Sequence, residues 1–292
     1  MPPRNGDSLR IAVQSNGRLT SHSLDLLRGI GLEFEDHERH LFAKCRNFDI
    51  ELLFLRDDDI PEYVADGVAD LGIVGLNVIR EKETNLERLA PLGFGYCTLT
   101  IAVPATSDAQ RPEDLAGRRI ATTHPRSLER FLERREIDAE TIELSGGAEI
   151  APFLDVADAI CDLVSTGTTL RIHDLRRIGD LWDSEAWLVG NPGLANDGAR
   201  SALVNRLRVR LDGLLTARRL KYVTLNAPEE ALPRIREILP GMRSPTVVPL
   251  ADSGMVAVHA AAQEEVFWEA MERLKDAGAT EILVLPVEKV MR

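Results

Sequence analysis

Through its first two-thirds the chain alternates short apolar runs with segments whose apolar residues recur at helical spacing. No other feature restricts the fold as strongly: strands separated by helices build βαβ units and predict mostly parallel sheets. Strand-like runs fall at 9–13, 49–55, 71–74, 98–104, 119–122, 142–144, 161–164 and 186–189, and helical spacing marks 21–28 and 59–66. The polar, turn-rich segment 191–201 reads as a loop, and 203–220 as a helix leading out of the α/β region.

The tail follows another rule. A strand at 222–225 precedes a helix at 229–239, which Pro240-Gly241 stops. Strands at 246–250 and 255–260 flank the turn residues Asp252-Ser253-Gly254, and a helix at 264–277 ends at Gly278 before a last apolar strand at 281–287. The order β-α-β-β-α-β is the ferredoxin-like pattern and predicts a separate C-terminal domain.

Charge and cysteine usage narrow the function. With 35 Lys and Arg against 47 Asp and Glu, the formal net charge is −12. Such a chain is a poor non-specific binder of nucleic acid or of an anionic membrane, so an anionic ligand must be held by local arginines or backbone amides. Cys45, Cys97 and Cys161 stand far apart with no CxxC, which argues against a disulfide framework or a zinc ribbon and predicts a reducing, cytoplasmic setting. The first residues hold no apolar core of signal-peptide length. No run approaches the roughly 20 apolar residues of a membrane span.

The most informative segment is ADAICDLVSTGTTL, 157–170. A hydrophobic strand ends in Ser165-Thr166-Gly167-Thr168-Thr169, and a helical pattern follows. Glycine permits close backbone approach, successive amides converge, a helix N-terminus adds positive dipole, and hydroxyls add donors. This equipment suits a phosphate monoester. Asp158 and Asp162, before the loop, are candidates for ribose hydroxyls or a magnesium ion. The same residues also fit an ordinary strand-to-helix connection with Ser and Thr as caps.

Other strand ends carry candidates. In QSNGRL, Asn16-Gly17 makes a tight turn where open α/β sheets bind ligands, and Arg18 offers a guanidinium to phosphate; a solvated arginine is the alternative. The aspartates of LRDDDIP, 55–61, read as a capping pattern rather than a metal site, and Arg56 closes the strand before them. In DLGIVG, Gly72 and Gly75 allow close approach. Glu149, after Ser145-Gly146-Gly147, either stabilises a helix dipole or meets ribose hydroxyls. His37 and His40 sit in a charged stretch and read as solvent-facing. No GxGxxG, nucleophile elbow or Cys/His pair is present.

Taken together, IAVQSNGRL, LRDDDIPEYVADGVADLGIVG, GGAEIAP, ADAICDLVSTGTTL, SPTVVPL and LVLPVEK resemble the ATP phosphoribosyltransferase family, in its long form with a regulatory domain. They stand in the family's order over nearly the whole chain. The resemblance implies a two-lobed catalytic region like type II periplasmic binding proteins, followed by a ferredoxin-like, ACT-like domain. It implies lobe I at 1–97 plus 186–215, lobe II at 98–185, and a regulatory domain at 220–292. The implied reaction is attack of adenine N1 of ATP on the anomeric carbon of phosphoribosyl pyrophosphate (PRPP), the first step of histidine biosynthesis, with Mg2+ required and histidine as feedback inhibitor. A homo-oligomer, dimer or hexamer, is implied.

By the same resemblance Ser165, Thr166, Gly167, Thr168 and Thr169 take the 5′-phosphate of PRPP, and Glu149 and Asp162 take its ribose or the magnesium. Arg18 and Arg56 take pyrophosphate or the ATP phosphates, and Gly17, Asp70 and Gly72 line the nucleotide side. Asn226 and Thr246 match histidine-contacting positions, Asn226 standing where some members carry an acid. A displacement at an anomeric carbon needs alignment and charge stabilisation more than a covalent nucleophile, which accords with the absence of a triad. The competing reading is a two-lobed solute sensor with a ferredoxin-like tail and no catalysis.

Overall fold

A computed structural model of the chain describes residues 8–35, 41–196, 198–242 and 244–291; His37 and His40 lie outside the described residues. In chain order it begins with β1 (Leu9–Gln14), α1 (Thr20–Gly29), β2 (Phe42–Lys44), β3 (Ile50–Leu55), α2 (Ile60–Ala65), β4 (Leu71–Gly75), α3 (Leu76–Lys82) and β5 (Glu87–Pro91). It continues with β6 (Cys97–Pro104), β7 (Arg119–Thr122), α4 (Pro125–Arg135), β8 (Glu140–Glu143), β9 (Ala159–Val164), α5 (Thr168–Ile172), β10 (Leu175–Ser184) and β11 (Ala186–Gly190). The remaining elements are α6 (Gly198–Arg218), β12 (Leu220–Pro228), α7 (Leu232–Ile238), β13 (Thr246–Pro249), β14 (Met255–Gln263), α8 (Glu264–Asp276) and β15 (Thr280–Pro286).

Two sheets make the two lobes. The first has the order β2-β3-β1-β4-β11-β5, the second β10-β6-β9-β7-β8. β1 runs parallel to β3 and β4, and β7 parallel to β8 and β9. Every residue of β1 and of β4 is buried, as strands covered on both faces require. The expectation of mostly parallel sheets needs correction, because both sheets are mixed. β11 runs against β4 and β5, and β6 against β9 and β10. The chain crosses between lobes twice, and strands entering from a crossover run against those built by βα units. The two crossovers bond to each other: Leu92 N donates to Ala186 O (2.9 Å) and Ala186 N to Phe94 O (2.9 Å).

The ten-residue β10 is absent from the sequence reading. It is an edge strand with two bulges, so its apolar period breaks at Gly179 and Trp182. The segment read as a loop at 191–201 is also corrected. A 3-10 turn (Pro192–Asn196) precedes α6, which begins at Gly198. Arg200 in its first turn is anchored by an ion pair to buried Asp70 (2.9 Å).

Two compact units divide the chain, one ending at Leu203 and one starting at Val204. The second contains an antiparallel sheet in the order β13-β14-β12-β15, the ferredoxin-like arrangement. Alternation along β12 turns Val223, Leu225 and Ala227 toward α7 and α8, where they pack with Ile235, Val256, Val258 and Leu274. Among the described residues no helix is long and apolar enough to cross a membrane. Cys45, Cys97 and Cys161 are free thiols, and burial pushes Cys161 well above the usual thiol range.

Candidate active site

Three candidate residues of the first lobe, Gly17, Arg18 and Arg56, gather at the carboxyl ends of the adjacent strands β1 and β3. Ser15 N donates to Leu55 O (2.7 Å), which sets the turn after β1 beside the end of β3. Gln14 folds back to accept from Leu19 N (2.9 Å), and its amide fills the place of a side chain at Gly17. Gly17 has φ 137°, so glycine is required there twice over. Arg18 follows, exposed, and Arg56 is exposed at the end of β3. Neither guanidinium makes a hydrogen bond or ion pair among the described residues, so both are free to meet an anion.

Asp57, Asp58 and Asp59 form a 3-10 turn, and the capping expectation is corrected: no side chain caps this turn or α2. Asp57 Oδ1 is instead buried and meets no donor among the described residues. Burial, with Asp58 adding, raises its carboxyl to about 6, against the pull of Arg18. No group of three or more His, Cys, Asp or Glu able to hold a metal occurs among the described residues.

In the second lobe, β9 runs into Ser165–Thr169. Gly167 has φ 72°, and a Cβ there would meet nothing within 4 Å, so the loop faces open space. Gly167 caps α5, whose first amides have no partner within the helix. Thr166 Oγ1 and Thr168 Oγ1 lie 3.0 Å apart, and Arg171 Nη2 donates to Thr168 Oγ1 (3.4 Å). The loop lines a cavity of about 350 Å³ together with Arg171 and Arg177. These two cations escaped the sequence reading. Arg171 was detectable, since residues three apart on a helix are neighbours. A second cavity, about 420 Å³, is lined by Ser165, Tyr96, Thr98, Asp183, Glu185 and Trp187 among others.

Asp162 and Glu149 come together from different elements, β9 and the 3-10 turn Ala148–Leu154. The Asp162 carboxyl is raised by burial and then by Glu149, while a bond from Leu163 N (2.7 Å) opposes the shift. A cation or hydroxyl donor placed there relieves the repulsion. Asp158 does not join them. It precedes β9 at the end remote from Ser165, accepts from Arg119 N (2.8 Å), and is held below the usual carboxylate range by that contact.

The other two residues expected on the nucleotide side, Asp70 and Gly72, have structural partners. Asp70 lies at the amino end of β4, away from Gly17. It is buried, accepts from Arg10 N (2.8 Å), and pairs with Arg200. Its carboxylate holds elements together. Gly72 is buried mid-strand, where a Cβ would come within 2.8 Å of Ile60 and 2.9 Å of Val64. Its smallness lets α2 sit on the sheet.

In the second unit Thr246 lines a cavity of about 1030 Å³ with Tyr222, Met242, Ser244 and His259 among others. Tyr222 and His259 meet there through hydroxyl and Nδ1 (3.3 Å). Asn226 is not among the lining residues; its amide donates to Glu281 across β12 and β15.

The family described as HisG, ATP phosphoribosyltransferase, matches residues 56–213, and that described as HisG, C-terminal domain, matches 217–289. An ATP phosphoribosyltransferase of Cytophaga hutchinsonii is 43% identical over 284 residues, 97% of this chain and 99% of the relative. One from Phocaeicola vulgatus is 44% identical over 283 residues, with the same coverage. A chain of the solved ATP phosphoribosyl transferase (HisG:HisZ) complex from Thermotoga maritima superposes with a TM-score of 0.61 at 27% identity, covering 70% of this chain and 98% of its own. The chain thus belongs to the ATP phosphoribosyltransferase family, enzymes of the first step of histidine biosynthesis.

Proposed function

We propose that the protein transfers the phosphoribosyl group of PRPP to N1 of the adenine of ATP. The N1–C1 bond forms as the C1–O bond to pyrophosphate breaks, with inversion at C1. The observation that carries this reading is the family match together with two free arginines, Arg18 and Arg56, in one lobe and an open glycine-centred loop, Ser165–Thr169, in the other. N1 of adenine carries no proton, so attack requires no strong base. What the residues contribute is alignment of nucleophile and leaving group, plus charge stabilisation.

In this mechanism the loop amides and Thr hydroxyls hold the 5′-phosphate, with Arg171 as an added cation beside it. Arg18 and Arg56 receive the pyrophosphate or the ATP phosphates, and Gly17 lets that chain approach the β1 turn. Glu149 and Asp162 hold the ribose. The same acids fit a magnesium ion carried mainly by substrate oxygens, because their mutual repulsion falls when a cation arrives; that ion would neutralise the polyphosphate. The catalytic lobes are assigned to 1–97 plus 186–215 and to 98–185, and the regulatory domain to 220–292. Histidine binds that domain at Thr246 and inhibits; Asn226 contributes through its pairing with Glu281. The working form is a dimer-based hexamer in the cytoplasm.

The test is incubation of the purified chain with ATP, PRPP and Mg2+ in the presence of pyrophosphatase, following the adenine ultraviolet spectrum, with and without histidine. Product suppressed by histidine supports both parts. Product without suppression leaves the transfer standing and removes the regulatory part. No product, with PRPP still bound, favours a solute sensor.

A further inference from the structure

Three buried polar side chains meet where the lobes join: Asn77 in the first turn of α3, Ser184 ending β10, and His124 opening α4, exposed by 4, 4 and 8%. Asn77 N donates to Ser184 Oγ (3.0 Å), and Ser184 Oγ donates to Asn77 Oδ1 (3.2 Å). With Oδ1 so used, Asn77 Nδ2 is the atom facing His124 Nε2 (3.3 Å), and that nitrogen accepts. The ring proton then sits on Nδ1 and is donated to Thr123 Oγ1 (2.9 Å). His124 N donates to Thr122 Oγ1 (2.9 Å), whose hydroxyl donates to Cys161 O (2.7 Å) in β9, the strand that leads into Ser165. Around this network Glu81 of the first lobe accepts from Arg126 N (2.8 Å) and Ser127 N (3.0 Å), capping α4 of the second.

We propose that His124, as the neutral imidazole, is a positioning residue for phosphoribosyl transfer: it ties the lobe bearing Arg18 and Arg56 to the lobe bearing Ser165–Thr169. The tie fixes the gap across which the two substrates meet. Its catalytic consequence rests on the function proposed above; the tie itself rests on the bonds just described.

The groups facing the ring agree with a neutral form. Glu81 from α3 and Asp58 from the turn after β3 favour the cation, and Arg18 opposes it. Burial, with Arg18 adding, outweighs the two acids and holds the imidazole below its ordinary range. A histidine so depressed contributes its full stability above its unfolded value of about 6.5; that contribution falls as pH drops below it, and the tie itself breaks when the ring protonates in the folded state at its lower value. A second ring proton would face the Asn77 amide hydrogens.

The test compares kcat and KM of the full chain with those of His124→Leu, His124→Gln and Gly75→Ala across about pH 5.5–8.5, where histidine titrates. A Cβ at Gly75 would fall on the Asn77 amide oxygen, and φ −68° there suits alanine, so this variant moves Asn77 without touching His124. His124→Leu and Gly75→Ala are expected to lower kcat about 10–100-fold, the effect of a misplacement near 1 Å, with little change in either KM. His124→Gln, which still accepts from Asn77 but cannot ionise, is expected to restore most of kcat and to lose the fall on the acid side. Wild-type kcat in His124→Leu, or a glutamine variant as impaired as the leucine one, overturns the proposal. Should His124→Leu not fold, the other two variants carry the test. Should the wild type form no phosphoribosyl-ATP, the functional reading fails separately. The tie is then read from melting: a loss of Tm between pH 8 and pH 6 (about the histidine range) that is larger in the wild type than in His124→Gln supports it, and equal losses overturn it.

Discussion

Asp57 holds a carboxylate where a carboxylate is costly. One oxygen is buried without a donor among the described residues, and burial raises the group to about 6 from near 3.8. A carboxyl raised in the folded state binds its proton more tightly there than in the unfolded chain, so the penalty is absent at low pH. It accumulates as pH rises through the folded value and is complete above it. Asp57→Asn is therefore expected to raise Tm at pH 8 (about two units above the folded value) by an amount worth at most about 3 kcal/mol, and to change it little at about pH 4. Thermal melts at the two pH values decide; an equal shift at both would sink the account. The same scale governs Gly167. Its φ of 72° strains any L side chain, but open space surrounds it. Gly167→Val should leave the folding free energy within about 2 kcal/mol of wild type while weakening PRPP binding at least tenfold. Calorimetry with PRPP checks this, and unchanged affinity removes the loop from the phosphate site.

At the scale of elements, legibility followed burial. β1 and β4 are buried throughout and read as apolar runs, interrupted in β1 only by Arg10 before Gln14 ends it, and the tail helices stop at Pro240-Gly241 and Gly278, so their order was plain. β10 was not, since Arg176, Arg177, Asp180 and Asp183 on a bulged edge strand carry no apolar period. Of the site, the turn at Gly17, the arginines ending β1 and β3, and the glycine loop after β9 were visible as local chemistry. The structural partners of Asp70 and Gly72 were hidden for a different reason. A motif does not reveal which end of a strand a residue occupies, nor what leans on it. Asp70 stands at the amino end with Arg200, and Gly72 lies beneath Ile60 and Val64 of α2. Gly72→Ala tests the packing role: the added methyl should cost about 1–3 kcal/mol by forcing α2 away from β4. PRPP and ATP affinities below the melting range should be unchanged. A selective loss of ATP affinity with normal stability would return Gly72 to the nucleotide site.

At the scale of the whole molecule, the second unit has a core of its own, built from Val223, Leu225, Val256, Val258 and Leu274. A unit of that kind can act on a distant reaction only if its ligand distinguishes two states of the chain, since equal affinity for both shifts nothing. A tenfold inhibition requires a coupling of about 1.4 kcal/mol, well within what one amino-acid ligand can supply. If histidine enters the cavity at Thr246, a chain ending at Leu220 should keep transfer activity and lose inhibition. Leu207, Leu211 and Leu214 of α6 are buried, so truncation also risks exposing them. Thr246→Arg in the full chain removes that ambiguity by placing a bulky cation in the cavity while both units stay whole. Initial rates with and without histidine are the measurement. Inhibition lost in both variants assigns the effector to the second unit, inhibition lost only on truncation points to another surface of that unit, and inhibition kept in both moves the effector into the catalytic lobes.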